Sequence, residues 1–160
     1  MMIQGVPPKG VDPSEELGRL IPAVGQVWRR ILGQRLAKEG LSDATALPIL
    51  VLWRERSASM RQNELAQLLG LETSGVVRLL DSLETRGLLR RVEDPSDRRA
   101  KLLELTDDGL ALGARADRIA RELRQELLAE VAPEELSQTL KLLSKVSAVL
   151  DSLEDRSKSK

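Results

Sequence analysis

The chain has 160 residues, 41% of them hydrophobic, with 25 Lys plus Arg balanced by 25 Asp plus Glu. That is enough apolar material for one ordinary core, and the zero net charge gives no global attraction to nucleic acid or to an acidic surface. With no cysteine and no histidine, a disulfide framework, a thiol redox sensor and the commonest metal ligand and general base are all missing, so neither a metal nor a cofactor is expected.

In chain order, residues 1–12 carry Gly5, Pro7, Pro8 and Gly10 and read as a flexible tail. No signal peptide is visible, and the longest apolar run, Leu47 to Trp53, is far too short to cross a bilayer, which predicts a cytoplasmic protein with no membrane partner. A helix is expected from Pro13 to about Lys38, with Leu17, Leu20, Ile21, Val24, Val27, Trp28, Ile31 and Leu32 on one wide stripe. Pro22 predicts a kink, or a start nearer Ile21. Ser42 is placed to cap a second helix, apolar nearly all round through Ala46, Leu47, Ile49, Leu50, Leu52 and Trp53, and Pro48 argues for an early position or a bend.

The next 44 or so residues, Asn63 to Thr106, are the most informative stretch. Ser59 and Gln62 have capping-box spacing, Leu65, Leu68 and Leu69 form one face, and Gly70 can stop the helix in a left-handed conformation. From Glu72 to Arg86, Val76, Leu79, Leu80 and Leu83 recur at helical spacing. Ser74, Arg78, Asp81 and Thr85 then share the opposite face, with Val77 at its margin. Small polar groups and one arginine are what a helix needs to lie in a major groove and read bases, and Arg78 is the best candidate for a bidentate guanine contact. Glu72 stands where a Ser, Thr or Asp cap is expected. Thr73 is therefore expected to take the cap, which leaves open which of Thr73, Ser74 and Val77 reaches a base edge.

After Arg86-Gly87 the period changes. Residues 88–93 and 100–105 read as two strands around a turn, Asp94-Pro95-Ser96-Asp97-Arg98-Arg99. Residues 86–101 hold six basic side chains (Arg86, Arg90, Arg91, Arg98, Arg99, Lys101) against three acidic ones (Glu93, Asp94, Asp97), a local basic patch in a neutral chain. An arginine on such a ribbon can enter a narrow minor groove. Arg90 and Arg91 are expected to touch phosphates or to pair with Glu93; Arg98 and Arg99 either pair with Asp94 and Asp97 or reach DNA. Thr106 caps a long helix to about Val131, with Leu110, Leu112 or Gly113, Ala116, Ile119, Ala120, Leu123 and Leu127 as its apolar line. Pro133 opens a last helix through Leu136, Leu140, Leu143, Val146, Val149, Leu150 and Leu153, and residues 155–160 read as a second tail.

Glu64-Leu65-Ala66, Val76 to Asp81, Leu83-Glu84-x-Arg86-Gly87-Leu88, Asp94-Pro95-x-Asp97-Arg98-Arg99 and Leu103-x-Leu105-Thr106-x-x-Gly109 together resemble the MarR family of winged helix-turn-helix transcriptional regulators. The likeness runs from about Leu17 to about Leu153. It implies a mainly α fold of about six helices with a small antiparallel β-wing. Residues 41–106 form the DNA-binding domain, and residues 13–40 and 107–154 the dimerisation helices. It further implies a homodimer on a palindromic operator of double-stranded DNA, acting as a repressor, with Asp97 orienting Arg99 for a minor-groove contact. A small-molecule effector between the dimerisation helices and the reading domain is also implied; here Trp28, Arg29 and Trp53 are the candidates to hold it, against their ordinary role as core tryptophans and a surface cation.

The same winged fold could serve a protein partner without DNA. An enzyme is not expected, because no Gly-rich phosphate loop, metal-ligand cluster or Ser-His-Asp set is present.

Overall fold

The computed structural model describes residues 12–57 and 60–158; within that span the side chains of Asp43, Thr73, Arg98, Arg99, Glu154, Asp155, Ser157 and Lys158 lie outside the description. The elements run α1 (Pro13–Lys38), α2 (Asp43–Arg54), β1 (Met60–Arg61), α3 (Gln62–Leu69), α4 (Thr73–Thr85), β2 (Leu89–Asp94), β3 (Asp97–Leu105), α5 (Asp107–Leu127) and α6 (Pro133–Lys158). Six helices and a small antiparallel sheet are as expected. Residues 1–11 of the expected N-terminal tail lie outside the described residues.

Helix starts follow side-chain chemistry. Asp12 caps α1, its carboxylate accepting from the Ser14 N–H at 3.1 Å, and Pro13 sits where a missing N–H costs nothing. Helix α1 then continues through Pro22, and α2 through Pro48, instead of starting late. The carbonyls that these prolines leave without a helical donor belong to Gly18 and Ala44, both exposed, where water can serve them. Ser42 is the N-cap residue of α2, but its hydroxyl makes no capping bond. Thr106 does cap α5: its hydroxyl accepts from Gly109 N–H at 3.1 Å and donates to the Gly87 carbonyl at 2.6 Å. Two ends differ from expectation. Helix α5 stops at Leu127 rather than near Val131, and α6 runs on to Lys158, taking in residues 155–158 of the expected second tail, whose residues 159–160 lie outside the described residues.

The chain divides into two units, Met1–Glu122 and Leu123–Lys160. In the first, Ile49 and Leu52 of α2, Met60 of β1, Leu65 and Ala66 of α3, Val76, Leu80 and Leu83 of α4, Leu88 just before β2, and Leu89 and Leu103 of the sheet form one buried cluster. Each fully buried leucine there is worth roughly 1.5–3 kcal/mol of transfer free energy, so α4 is anchored chiefly by its inner stripe. The sheet has three strands in the order β1-β3-β2, not two. β1 pairs Met60 with Leu103 and Arg61 with Leu102. Along the outer part of α1, Ile21, Val24 and Val27 are exposed although the sequence pattern marks them as a core stripe. In the second unit, Glu135 accepts from the Ala132 N–H at the start of α6, and Leu140, Leu143, Val149, Leu150 and Leu153 are exposed along that helix.

Candidate nucleic-acid interface

The reading unit is built from α3, a tight turn and α4. Arg61, not Ser59, stands at the N-cap of α3; its N–H donates to the Glu64 carboxylate at 2.6 Å. A guanidinium has no acceptor, so only the Glu64 half of a capping box exists. Ser59 itself lies outside the described residues. Gly70 ends α3 at φ +64, and the Leu71 N–H turns back to the Ala66 carbonyl at 2.9 Å, a closure that needs the left-handed backbone glycine supplies. After Leu71, Glu72 takes the N-cap of α4, without a side-chain bond, and Thr73 is the first helical residue. This corrects the expectation that Thr73 is the cap.

Helix α4 turns Val76, Leu80 and Leu83 into the core and exposes Ser74, Gly75, Arg78, Asp81, Ser82 and Thr85, with Val77 half-buried at the margin. Ser74 and Arg78 thus lie on the open face, and Arg78 makes no hydrogen bond or ion pair with the described residues. Of the side chain of Thr73 nothing is described.

Three arginines after α4 take partners from outside the basic segment. Arg86, counted in the basic patch and exposed, donates to Thr45 Oγ1 of α2 at 2.9 Å. Arg90 lies opposite Glu104 in the β2–β3 register and pairs with it at 2.9 Å, while Glu93 faces Lys101 at 3.4 Å. Arg91 points to the other side of β2, onto α4. Its guanidinium bonds Glu84 at 2.7 and 3.1 Å and also Asp81, and its backbone N–H donates to Glu84 at 3.2 Å. Neither Arg90 nor Arg91 pairs with Glu93. The bonds from Arg91 lower the Glu84 carboxyl below its ordinary range, and the Arg91 guanidinium is itself raised, first by Asp81 and then by Glu84.

The wing tip is a built turn. Asp94, buried at 5% exposure, accepts from the Ser96 hydroxyl at 2.6 Å and from the Ser96 N–H at 2.8 Å; its other oxygen takes the Arg61 guanidinium at 2.5 and 2.9 Å. The Ser96 hydroxyl, then its N–H, then Arg61 hold the Asp94 carboxyl down to about 2. The strands are therefore joined by Pro95-Ser96 alone, with an irregularity at Glu93/Asp94. Asp97 is exposed and adds to the field on Arg61. The side chains of Arg98 and Arg99 are outside the description, so the expected Asp97–Arg99 bond lies there too. The turn chemistry of Asp94 and Ser96 was readable; its tie to Arg61, 33 residues away, was not.

Of the effector candidates, Trp28 and Arg29 lie on α1 and Trp53 on α2. Arg29 is exposed and lines a shallow groove with Arg19, Pro22, Ala23, Gly25 and Gln26, all of α1 and including neither tryptophan. Trp28 is half-buried. Trp53 packs against α5 at Gly113, where an added Cβ would lie 2.6 Å from its Cβ, Cγ and Cδ1, and the Arg56 guanidinium sits 3.9 Å from its ring centroid. Nearby, Arg54 bonds buried Asp117 at 3.1 Å, and Arg121 bonds the same carboxylate at 2.7 Å. Burial would raise that carboxyl, but Arg121 and Arg54 outweigh it and lower it. Among the described residues no acidic cluster could hold a metal, and no helix is long and apolar enough to cross a membrane.

Residues 39–100 match the model of the MarR family. The transcriptional regulator PA3341 is 38% identical, superposes with a TM-score of 0.78, and is covered over 98% of its length by 85% of this chain. Wild-type MarR from E. coli in its apo form is 30% identical at a TM-score of 0.65, with coverage of 85% of this chain and 98% of that one. A cysteine-substituted E. coli MarR complexed with operator DNA gives 30% identity and a TM-score of 0.65, with 85% and 99% covered. With the winged fold, the open face of α4 and these likenesses together, the chain belongs to the MarR family of transcriptional regulators.

Proposed function

We propose that the protein is a sequence-specific repressor that binds an inverted-repeat operator as a homodimer, acting by occupancy and not by catalysis. The observation that carries this reading is the face of α4. Ser74, Gly75 and Arg78 are open, Val77 flanks them, and the carboxylate nearest Arg78 along the helix, Asp81, is already paired with Arg91. Arg78 is left to bond guanine O6 and N7. Residues 41–106 form the reading domain in this assignment, with Asp97 orienting Arg99 for the flanking minor groove and Arg98 left for a phosphate. Residues 13–40 and 107–154 pair two copies. Exposed Ile21, Val24 and Val27 on α1, and Leu140, Leu143, Val149, Leu150 and Leu153 on α6, support that pairing, because a row of large apolar side chains in water is an interface awaiting its partner. Two recognition helices about the dimer axis then sit about 34 Å apart, one turn of DNA. The DNA complex of E. coli MarR supports the same use of this fold. Such a protein works in the cytoplasm beside its promoter. Packing of Trp53 by Gly113 and Arg56 favours a core role over stacking on an effector.

The test is selection of genomic DNA fragments on the purified protein at physiological salt, wild type against the Arg78→Ala, Arg99→Ala double variant. An enriched inverted repeat that disappears in the variant is expected, together with transcription from that promoter falling when protein is added. Absence of enrichment with the wild type, with capture of a protein partner instead, would replace the reading by a winged interaction module.

A further inference from the structure

We infer that Arg91 is a positioning residue for sequence reading: by clamping Asp81 and Glu84 it sets the rotation of α4 and masks two carboxylates that would otherwise face the DNA. The inference rests on the DNA-binding reading above.

Three observations carry it. First, Arg91 has little freedom to reach outward. Its side chain is 23% exposed, against 69% for neighbouring Arg90, and its guanidinium already serves two carboxylates. Second, the clamp sits where it can control Arg78. Asp81 lies three residues along α4 from Arg78, on the same face, and Glu84 lies three further on. The inner stripe of Val76, Leu80 and Leu83 holds the helix against the core, but apolar packing is non-directional and tolerates small rotations. Charge-assisted bonds to a planar guanidinium are directional and fix the angle. A bidentate contact to guanine is sensitive to that angle, because both N–H groups must meet O6 and N7 together. Third, the charge count fits masking rather than phosphate binding. One guanidinium against two carboxylates leaves the cluster at net minus one, so it offers no cation to a phosphate; without Arg91, two bare carboxylates would stand on or beside the groove-facing surface. The lowered Glu84 carboxyl and raised Arg91 guanidinium agree with a formed clamp.

The experiment measures affinity for the selected operator and for unrelated DNA across a salt series, using wild type, Arg91→Ala, and the Asp81→Asn, Glu84→Gln double variant. The two variants break the same clamp from opposite sides, and the second keeps every residue of the wing. They also shift the charge in opposite directions. Both are expected to cut the ratio of specific to non-specific affinity by about tenfold, as loss of a base-reading geometry does, with the salt slope of Arg91→Ala matching wild type. Three results overturn the inference. Equal loss on both DNAs by Arg91→Ala, with a slope smaller by about 0.9, means Arg91 touches a phosphate directly. An unchanged ratio in the double variant means the carboxylates act only through their charge. Loss of the folded circular-dichroism signal in both variants, with no soluble species retaining a changed ratio, means the clamp serves stability alone. A wild type without sequence preference overturns the DNA-binding reading itself, a different result from wild-type preference that both variants preserve.

Discussion

Replacing Gly109 by alanine tests the join between the reading unit and α5. Gly109 and Gly75 are both the third residue of a helix, α5 and α4 respectively. Alanine at either gains up to about 1 kcal/mol of helix propensity. Around Gly75 nothing lies within 4 Å of an added Cβ, so the gain should appear in full or nearly so. At Gly109 the added Cβ would collide with the Leu88 carbonyl oxygen and lie 3.0 Å from its carbon and 3.2 Å from Leu105 Cδ2. The first two atoms are backbone. They cannot rotate away, and the same carbonyl accepts the Thr106 N–H at 3.2 Å. Relief requires α5 to move off the α4–β2 corner, losing that bond. Overpacking of this kind costs about 1–3 kcal/mol, and one lost hydrogen bond about 1 more, so Gly109→Ala should be destabilised by about 1–3 kcal/mol net of the propensity gain. For a chain of this length each kcal/mol moves the melting midpoint by about 2–4 °C. The assay is thermal unfolding at one fixed protein concentration, because any self-association shifts the midpoint by mass action. Gly75→Ala should melt at or slightly above wild type, and Gly109→Ala roughly 2–12 °C below it. A Gly109→Ala midpoint rising alongside that of Gly75→Ala would refute the close-approach argument.

The remaining expectations concern the interface, the assembly and the wing. Arg78→Ala should cost about 1–3 kcal/mol of operator binding and relax one base position per half-site; uniform loss on all sequences would deny it a reading role. Leu150, 57% exposed on α6, should tolerate aspartate within one chain but not within a dimer. Leu150→Asp is therefore expected to halve the mass seen in sedimentation and abolish operator binding, and a dimer of undiminished affinity would contradict the assignment of α6 to pairing. For Asp94 the folded carboxyl titrates at about 2, below its ordinary value of 3.8. Its contribution to stability is thus complete above about pH 4 and drains away as pH falls toward 2. Asp94→Asn should be less stable than wild type near neutrality and show a flatter loss of melting temperature between pH 4 and pH 2; parallel curves would mean the Ser96 and Arg61 bonds contribute nothing.

Helix count, helix order and the winged arrangement were legible because their signals are local. The inner stripe of α4 is periodic, Gly70 and Gly87 mark left-handed stops at φ +64 and +69, and Thr106 and Pro133 announce the next two helices. β1 was not legible, since a two-residue strand has no period and exists only because Met60 and Arg61 meet Leu103 and Leu102 across about 40 residues of chain. The prolines misled for a similar reason. What a helical proline costs depends on whether the orphaned carbonyl can reach water, and exposure of Gly18 and Ala44 is a property of the fold.

The basic patch shows most clearly where counting residues stops being informative. Six cations against three anions in residues 86–101 look like a surface aimed at phosphate, yet the anions that matter come from elsewhere in the chain. Glu104 takes Arg90 across the strand pair, and Asp81 and Glu84 take Arg91 from α4. Thr45 takes Arg86 from α2. Within the segment, Glu93 takes Lys101, while Asp94 is turned to Arg61. A pair at the rim such as Arg90–Glu104 is worth little in water and can open when a phosphate arrives. Arg91 is different, since leaving two carboxylates would expose both to the same phosphate field that attracted it. On the proposed reading, base contacts fall to the α4 face carrying Arg78, while Asp94 fixes the Pro95-Ser96 turn at the tip of the wing.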